Sequence, residues 1–327
     1  MVRAGAVFGL LVALPYVFTA AWVQDLFLFT LMYAALASAW NIVGGYSGYI
    51  SLGHAAFFGV GAYATAILFT HVSIGGGYRP FWVLPAIGVL VGIGSVPVAW
   101  VAYRTRAATF AIVTITLLFV AQQLAFNLRS VTGGSQGIAI PTPSFPVSTY
   151  DVPFYFGMLG VLAVSMLASW WIRGSKLGLA LLAIRDDEDR ARGLGVQTEL
   201  AKLTAFGVSA GLVAMAGGVW AYYLTFIYPQ FAVDPLVTIG MVLMVYLGGR
   251  GTLWGPVLGA FILVPAQKYL AYRLGASELY LVGYSSVFLV VILLLPRGIL
   301  PSLAERGRRF RVTRQRPTQG GEEVAAS

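Results

Sequence analysis

Leu26-Phe-Leu-Phe-Thr-Leu-Met-Tyr-Ala-Ala-Leu-Ala-Ser-Ala-Trp-Asn-Ile-Val43 runs without a single charge. A helix rises about 1.5 Å per residue, so about 20 apolar residues cross the hydrocarbon core of a bilayer. Outward from this stretch, comparable segments lie at about 5–23, 50–70, 81–102, 107–128, 153–172, 203–225, 235–249, 253–271 and 279–296, which makes ten. Of the 327 residues, 58% are hydrophobic and 10% charged, against about 25% charged in an average soluble domain. Too few polar groups remain to clothe a soluble surface. The expected class is all-α: a polytopic transmembrane helical bundle of about ten spans, embedded in the lipid bilayer.

The formal charge of +9 is distributed by topology and does not build a nucleic-acid-binding face. With the N-terminus inside, every Lys and Arg except Arg79, Arg129, Lys268 and Arg273 falls in a cytoplasmic segment, as the positive-inside rule requires. Both termini are therefore expected in the cytoplasm. The first segment, with Arg3 ahead of an apolar run, has the outline of a signal peptide but reads as a retained helix. Residues 1–300 form the membrane domain, and the Arg-rich tail 301–327 reads as disordered. Two connections are long enough to do more than connect: an outer one at 129–152, rich in Gly, Pro, Ser and Thr, and an inner one at 173–202. Among the glycines, Gly88 with Gly92, Gly207 with Gly211 and Gly255 with Gly259 have the spacing that lets membrane helices approach closely.

Chemistry is sparse. No carboxylate falls in mid-membrane: Asp25, Asp151, Asp234 and Glu278 sit near outer ends, and the rest lie in the inner connection or the tail. Intramembrane charges usually mark proton or ion paths, so energy for any transport arrives from elsewhere. No Gly-x-x-x-x-Gly-Lys-Ser/Thr loop is present to cradle a phosphate, and the absence of Cys removes thiolate chemistry. Gly45-Tyr46-Ser47-Gly48 has the form found around an intramembrane serine nucleophile, with His54 and His71 as conceivable bases. Seven residues along a helix separate His54 from Ser47 by about 10 Å, and His71 falls at the far end of its segment. A Gly-rich turn is the better reading. A second Gly-rich turn, Gly248-Gly249-Arg250-Gly251, occupies a corresponding cytoplasmic hairpin. The inner connection reads as an exposed helix, apolar at first, then densely charged and stopped near Gly195, with Asp186 facing Arg190 and Glu188 facing Arg192 at i,i+4.

Four stretches together resemble the branched-chain amino-acid ABC transporter permeases of the LivM type. They are Asn41-Ile-Val-Gly-Gly-Tyr-Ser-Gly-Tyr-Ile-Ser-Leu-Gly-His-Ala-Ala-Phe-Phe-Gly-Val-Gly-Ala-Tyr63, Thr132-Gly-Gly-Ser-Gln-Gly-Ile138, Ala183-Ile-Arg-Asp-Asp-Glu-Asp-Arg-Ala-Arg-Gly-Leu-Gly195 and Leu247-Gly-Gly-Arg-Gly-Thr-Leu-Trp-Gly-Pro-Val-Leu-Gly-Ala260. The resemblance implies a transport subunit of a bacterial inner membrane, without an ATPase site or bound cofactor of its own. It would work with a homologous second permease, two cytoplasmic ATP-binding subunits that use ATP and Mg, and an extracytoplasmic solute-binding protein. The implied substrates are branched-chain or related hydrophobic amino acids, with urea, short amides or another small solute as the alternative.

In this family the inner loop carries a coupling segment that docks on the ATPase. Glu188, Ala191 and Gly195 match its pattern, while Arg190 stands where Ala is typical. Arg185, Asp186 and Asp187 belong to the same segment, and charge reversal at Asp186, Asp187 and Glu188 is expected to uncouple it. Polar residues within apolar segments are the candidates for lining the path: Asn41, Ser47, Ser51, His54, Thr114, Thr116, Gln122, Gln123 and Asn127. Each can equally serve as hydrogen-bonding glue between helices.

Overall fold

The computed structural model describes residues 2–72, 76–146, 149–274 and 298–303, together with residues 282, 286 and 289. Its long helices are α1 (Val2–Val17), α2 (Ala21–Asn41), α3 (His54–Val72), α4 (Arg79–Ala102) and α5 (Ala107–Asn127). A short α6 (Arg129–Thr132) precedes α7 (Asp151–Gly174), α8 (Lys176–Asp186), α9 (Glu188–Gly193) and α10 (Thr198–Leu224). A single turn, α11 (Pro229–Ala232), leads into α12 (Pro235–Gly248) and α13 (Gly255–Leu274). Nine of the ten expected segments thus coincide with helices; the tenth, 279–296, falls almost wholly outside the described residues. By length and composition six helical stretches can cross a membrane: Ala21–Ser47, Arg79–Ala102, Ala108–Asn127, Asp151–Gly174, Thr198–Leu224 and Pro229–Gly248.

Two helices form the centre. The α2 and α10 spans are each 78% buried, whereas those of α4 and α5 are 22% buried. α10 packs on α2, α3, α4 and α7, and α2 packs on α7, α12 and α13. Close approach rests on glycine. A Cβ on Gly92 would stand 2.8 Å from the Gly207 carbonyl, and one on Gly211 would stand 2.5 Å from that of Gly88. The two pairs picked out by spacing therefore pack against each other. Gly259 meets the Met244 carbonyl in the same way between α12 and α13.

Several expectations need correction. α2 does not end at Val43 but continues as a π-helical turn, Ile42–Ser47, closed by Gly48 at φ 83°. Ser47 and His54 consequently lie in separate elements, not one helical stretch. The all-α description is interrupted by a two-residue antiparallel ladder, β1 (Ile138–Ala139) with β2 (Phe226–Ile227), which ties the outer connection to the end of α10. The single inner helix is two, because Asp187 turns extended (φ −164°, ψ 110°) and its side chain caps α9 by accepting from Arg190 N–H at 3.0 Å. That break replaces the expected Asp186–Arg190 pair with Asp187–Arg190 at 3.0 Å, while Glu188–Arg192 forms as expected at 3.3 Å.

Candidate functional site

The two Gly-rich turns meet. Asn41, buried at the end of α2, donates from Nδ2 to the Thr252 carbonyl (3.0 Å) and accepts at Oδ1 from Gly251 N–H (2.9 Å). Arg185 of α8 adds a third strand of contact, donating from Nη1 to the Gly45 carbonyl at 2.9 Å. A Cβ on Gly251 would lie 2.8 Å from that guanidinium and 3.2 Å from the Gly45 oxygen. Burial and the neighbouring Arg250 charge pull the Arg185 pKa down. Asn41→Leu is expected to lower the thermal midpoint of the purified protein by the equivalent of about 1–3 kcal/mol, since it strands a backbone N–H and a carbonyl. An unchanged midpoint would show that the hairpin holds without this bridge.

Outward from these turns, residues 48–53 are non-helical, a conformation tolerated at membrane depth only when protein satisfies each group. Trp40 Nε1 donates to the Ser51 carbonyl (2.8 Å), Leu52 N–H to Thr114 Oγ1 (3.0 Å) and Ala55 N–H to Thr238 Oγ1 (2.8 Å). His54 is fully buried, with Nδ1 2.8 Å from Ser51 Oγ and Nε2 2.9 Å from Ser209 Oγ. Ser209 gives its one hydroxyl proton to the Ala39 carbonyl (2.7 Å), so Nε2 carries the proton donated to Ser209 and Nδ1 accepts from Ser51. Ser47 Oγ donates to the Val43 carbonyl at 2.8 Å. Nucleophile and base are each committed elsewhere, and nothing here assembles a serine protease.

On the inner connection, Glu188 turns inward. Its carboxylate takes Lys202 Nζ at 2.6 Å, the Tyr49 hydroxyl, and Arg192 at 3.3 Å. Lys202 is 3% exposed and lies over the rings of Tyr49 (4.9 Å) and Tyr103 (5.0 Å). Burial pushes the Glu188 carboxyl up, but the hydrogen bonds and charges of Lys202, Tyr49 and Arg192 outweigh it and hold it below the usual carboxylate range. Burial and this carboxylate raise the Tyr49 hydroxyl. Asp186 is exposed and Asp187 half-buried, Ala191 is buried, and Gly195 stands exposed at φ 84° past the end of α9. The outer face of α8 presents Leu179 and Leu182, while Gly178, Leu181 and Ile184 face inward.

The path candidates separate by exposure. Asn41, Ser47, Ser51, His54 and Thr114 are buried and bonded within the chain, and Gln122 donates to the Val233 carbonyl at 2.9 Å. Thr116, Gln123 and Asn127 are exposed on α5. With Thr109, also exposed, they fall within about 40° of arc at 100° per residue. Thr116 and Asn127 bond back to their own helix, whereas the Gln123 amide has no partner among the described residues. At the outer end of α5, Thr132 Oγ1 donates to the Ala125 carbonyl (2.6 Å), and a Cβ on Gly137 would run into the Ile227 carbonyl. The Thr132–Ile138 motif is thereby accounted for as a tight cap over that helix.

Sequence reasoning missed Lys202, Tyr49, Tyr103, Ser209 and Thr238. A lone Lys at the start of the apolar run 203–225 was the available signal for the first; the others carry none.

These features define a polytopic helical membrane protein with a short helical segment, α8 and α9, fastened to its bundle and a polar stripe on a peripheral helix. A family profile described as "Branched-chain amino acid transport system / permease component" matches residues 22–296, and the chain belongs to that family. It is 28% identical over 326 residues to the high-affinity branched-chain amino acid transport system permease protein LivM of Escherichia coli K12, covering 90% of this chain and 74% of the relative. The LivH permease protein of the same strain is 24% identical over 287 residues, 82% of this chain and 91% of LivH. The autoinducer 2 import system permease protein LsrC of Salmonella paratyphi B is 31% identical over 131 residues, 37% of each chain. No solved structure matches significantly.

Proposed function

We propose that this chain is one of two homologous permease subunits of an ATP-driven importer of branched-chain amino acids in the bacterial cytoplasmic membrane. The observation that carries this reading is the family match across residues 22–296. Similarity to both LivM and LivH, over most of the chain in each case, supports a second, related permease as partner. Two ATP-binding subunits would supply the work, using ATP and Mg, and an external binding protein would deliver the substrate.

Ten spans with both termini inside are supported by charge placement. The described ion pairs join only charges assigned to one side: Asp25 with Lys268 outside, and Glu188 with Lys202 and Arg192, and Asp187 with Arg190, inside. The coupling surface would be the outer face of α8 and α9, where Leu179, Leu182, Asp186, Asp189 and Arg190 are exposed. The path would follow Thr116, Gln123 and Asn127, because an unpaired amide facing lipid costs several kcal/mol, roughly.

Cells lacking only this chain are expected to lose ATP-dependent uptake of labelled leucine while urea uptake persists. Intact leucine uptake with lost urea uptake would keep the machinery and move the substrate. Loss of neither would remove the proposal.

A further inference from the structure

α9 has one buried side chain, Ala191, so apolar packing alone holds it weakly. Its first residue nevertheless reaches into the bundle. The Glu188 carboxylate closes a box whose walls are Tyr49 from the α2–α3 connection and Tyr103 just past α4, and whose content is the Lys202 ammonium from the second turn of α10. The box extends inward by ring contacts. Tyr103 stacks on Phe110 in the first turn of α5 (4.6 Å, 15°), Phe110 and Tyr49 meet edge to face (5.3 Å), and Phe206 lies 6.0 Å from Tyr103 and 5.1 Å from the His54 ring.

A buried ion pair adds little stability over an apolar replacement, but breaking it from one side leaves an uncompensated charge. Its contribution is therefore registration. The pair joins α9 to α10 and touches Tyr49 of the α2–α3 connection and Tyr103 at the end of α4, whose rings meet Phe110 of α5. Arg192, 64% exposed, and Asp189 stand at the solvent side of the same carboxylate.

We propose that Glu188 and Lys202 form a latch through which displacement of the inner segment is passed to α5 and α10, so that Glu188 is a positioning residue facing the bundle, not a contact for a partner subunit. This rests on the transport reading above and adds to it the place where motion enters the membrane helices. A rigid, satisfied joint transmits a small displacement as a shift of packed elements. A joint without its ion pair lets α9 move while α5 stays.

The chain has no native Cys, so the joint can be made switchable. Glu188→Cys with Lys202→Cys would be studied in the complete reconstituted complex, with leucine uptake and ATP hydrolysis measured together. With free thiols, uptake per ATP hydrolysed is expected to fall at least tenfold while hydrolysis continues. A reducible bis-thiosulfonate spanning the two thiols should restore it, and reduction should abolish it again in the same sample, a reversal that a purely structural role would not give. Glu188→Gln, which keeps the shape and removes the charge, should show the same loss and guards against a pair that fails to assemble. Unchanged uptake per ATP in Glu188→Gln, or no recovery on linking, overturns the latch. Absence of ATP-driven leucine uptake in the unmodified complex would instead overturn the transport reading.

Discussion

Gly61→Val is expected to reduce the folded protein in the membrane fraction to under about a tenth of normal, a loss of more than ~1.4 kcal/mol. A Cβ at Gly61 of α3 would overlap the Ala214 carbonyl of α10, and on the reciprocal side a Cβ at Gly217 would overlap the Phe58 carbonyl. Backbone meets backbone at both points. Overpacking usually costs ~1–3 kcal/mol when neighbouring side chains can give; a backbone carbonyl in one of the two central helices cannot. Separating α3 from α10 would also pull on the bond of His54 Nε2 to Ser209, since these residues belong to the same two helices.

Gly94→Val is the matched control. It puts the same side chain on α4, where nothing lies within 4 Å, and an exposed position of this kind usually changes stability by less than ~0.5 kcal/mol. Equal losses from the two variants, read by detergent-solubilised yield and thermal midpoint, would show that Val is harmful in either helix for reasons unrelated to packing.

How much was legible follows the range of each interaction. The long helices were legible because each needs only a local run of apolar residues, and nine of the thirteen described helices fall where the runs fall. Spacing showed that Gly88, Gly92, Gly207 and Gly211 could make close contacts, but not that they make them with one another. The likeness of the two Gly-rich turns was visible; their junction through Asn41 spans about 210 positions in sequence and leaves no local trace. The inner connection was misjudged at Asp187 because its extended backbone is not encoded by helical periodicity, although Asp is a good N-cap. Glu188 read as a surface residue pairing with Arg192, which it does, and the deeper partner, Lys202, belongs to the next helix. Among the path candidates polarity alone made nine residues equal. Three of them, Thr116, Gln123 and Asn127, share one face of α5 with Thr109, which polarity had not singled out, and only the packing shows that this face is uncovered.

That uncovered face gives the sharpest prediction about transport. Gln123→Leu, alone or with Thr116→Val, is expected to lower the leucine uptake rate at least about tenfold, ~1.4 kcal/mol in barrier, with the complex still assembled. The opposite outcome has its own physics. If this arc faced hydrocarbon, the Gln123 amide, which has no partner among the described residues, would be a burden in the bilayer, and replacing it with Leu would raise the thermal midpoint without touching transport. A polar lining lets a zwitterion pass by exchanging its water for hydroxyl and amide partners one after another; Leu at the middle of the stripe removes both donor and acceptor from one step of that sequence. Gln122→Leu separates lining from glue: its amide is spent on the Val233 carbonyl, so its loss should lower stability first and uptake only as far as folded protein is lost. A Gln123→Leu protein that is more stable and transports normally would assign the face to lipid, and a different element would then have to line the path.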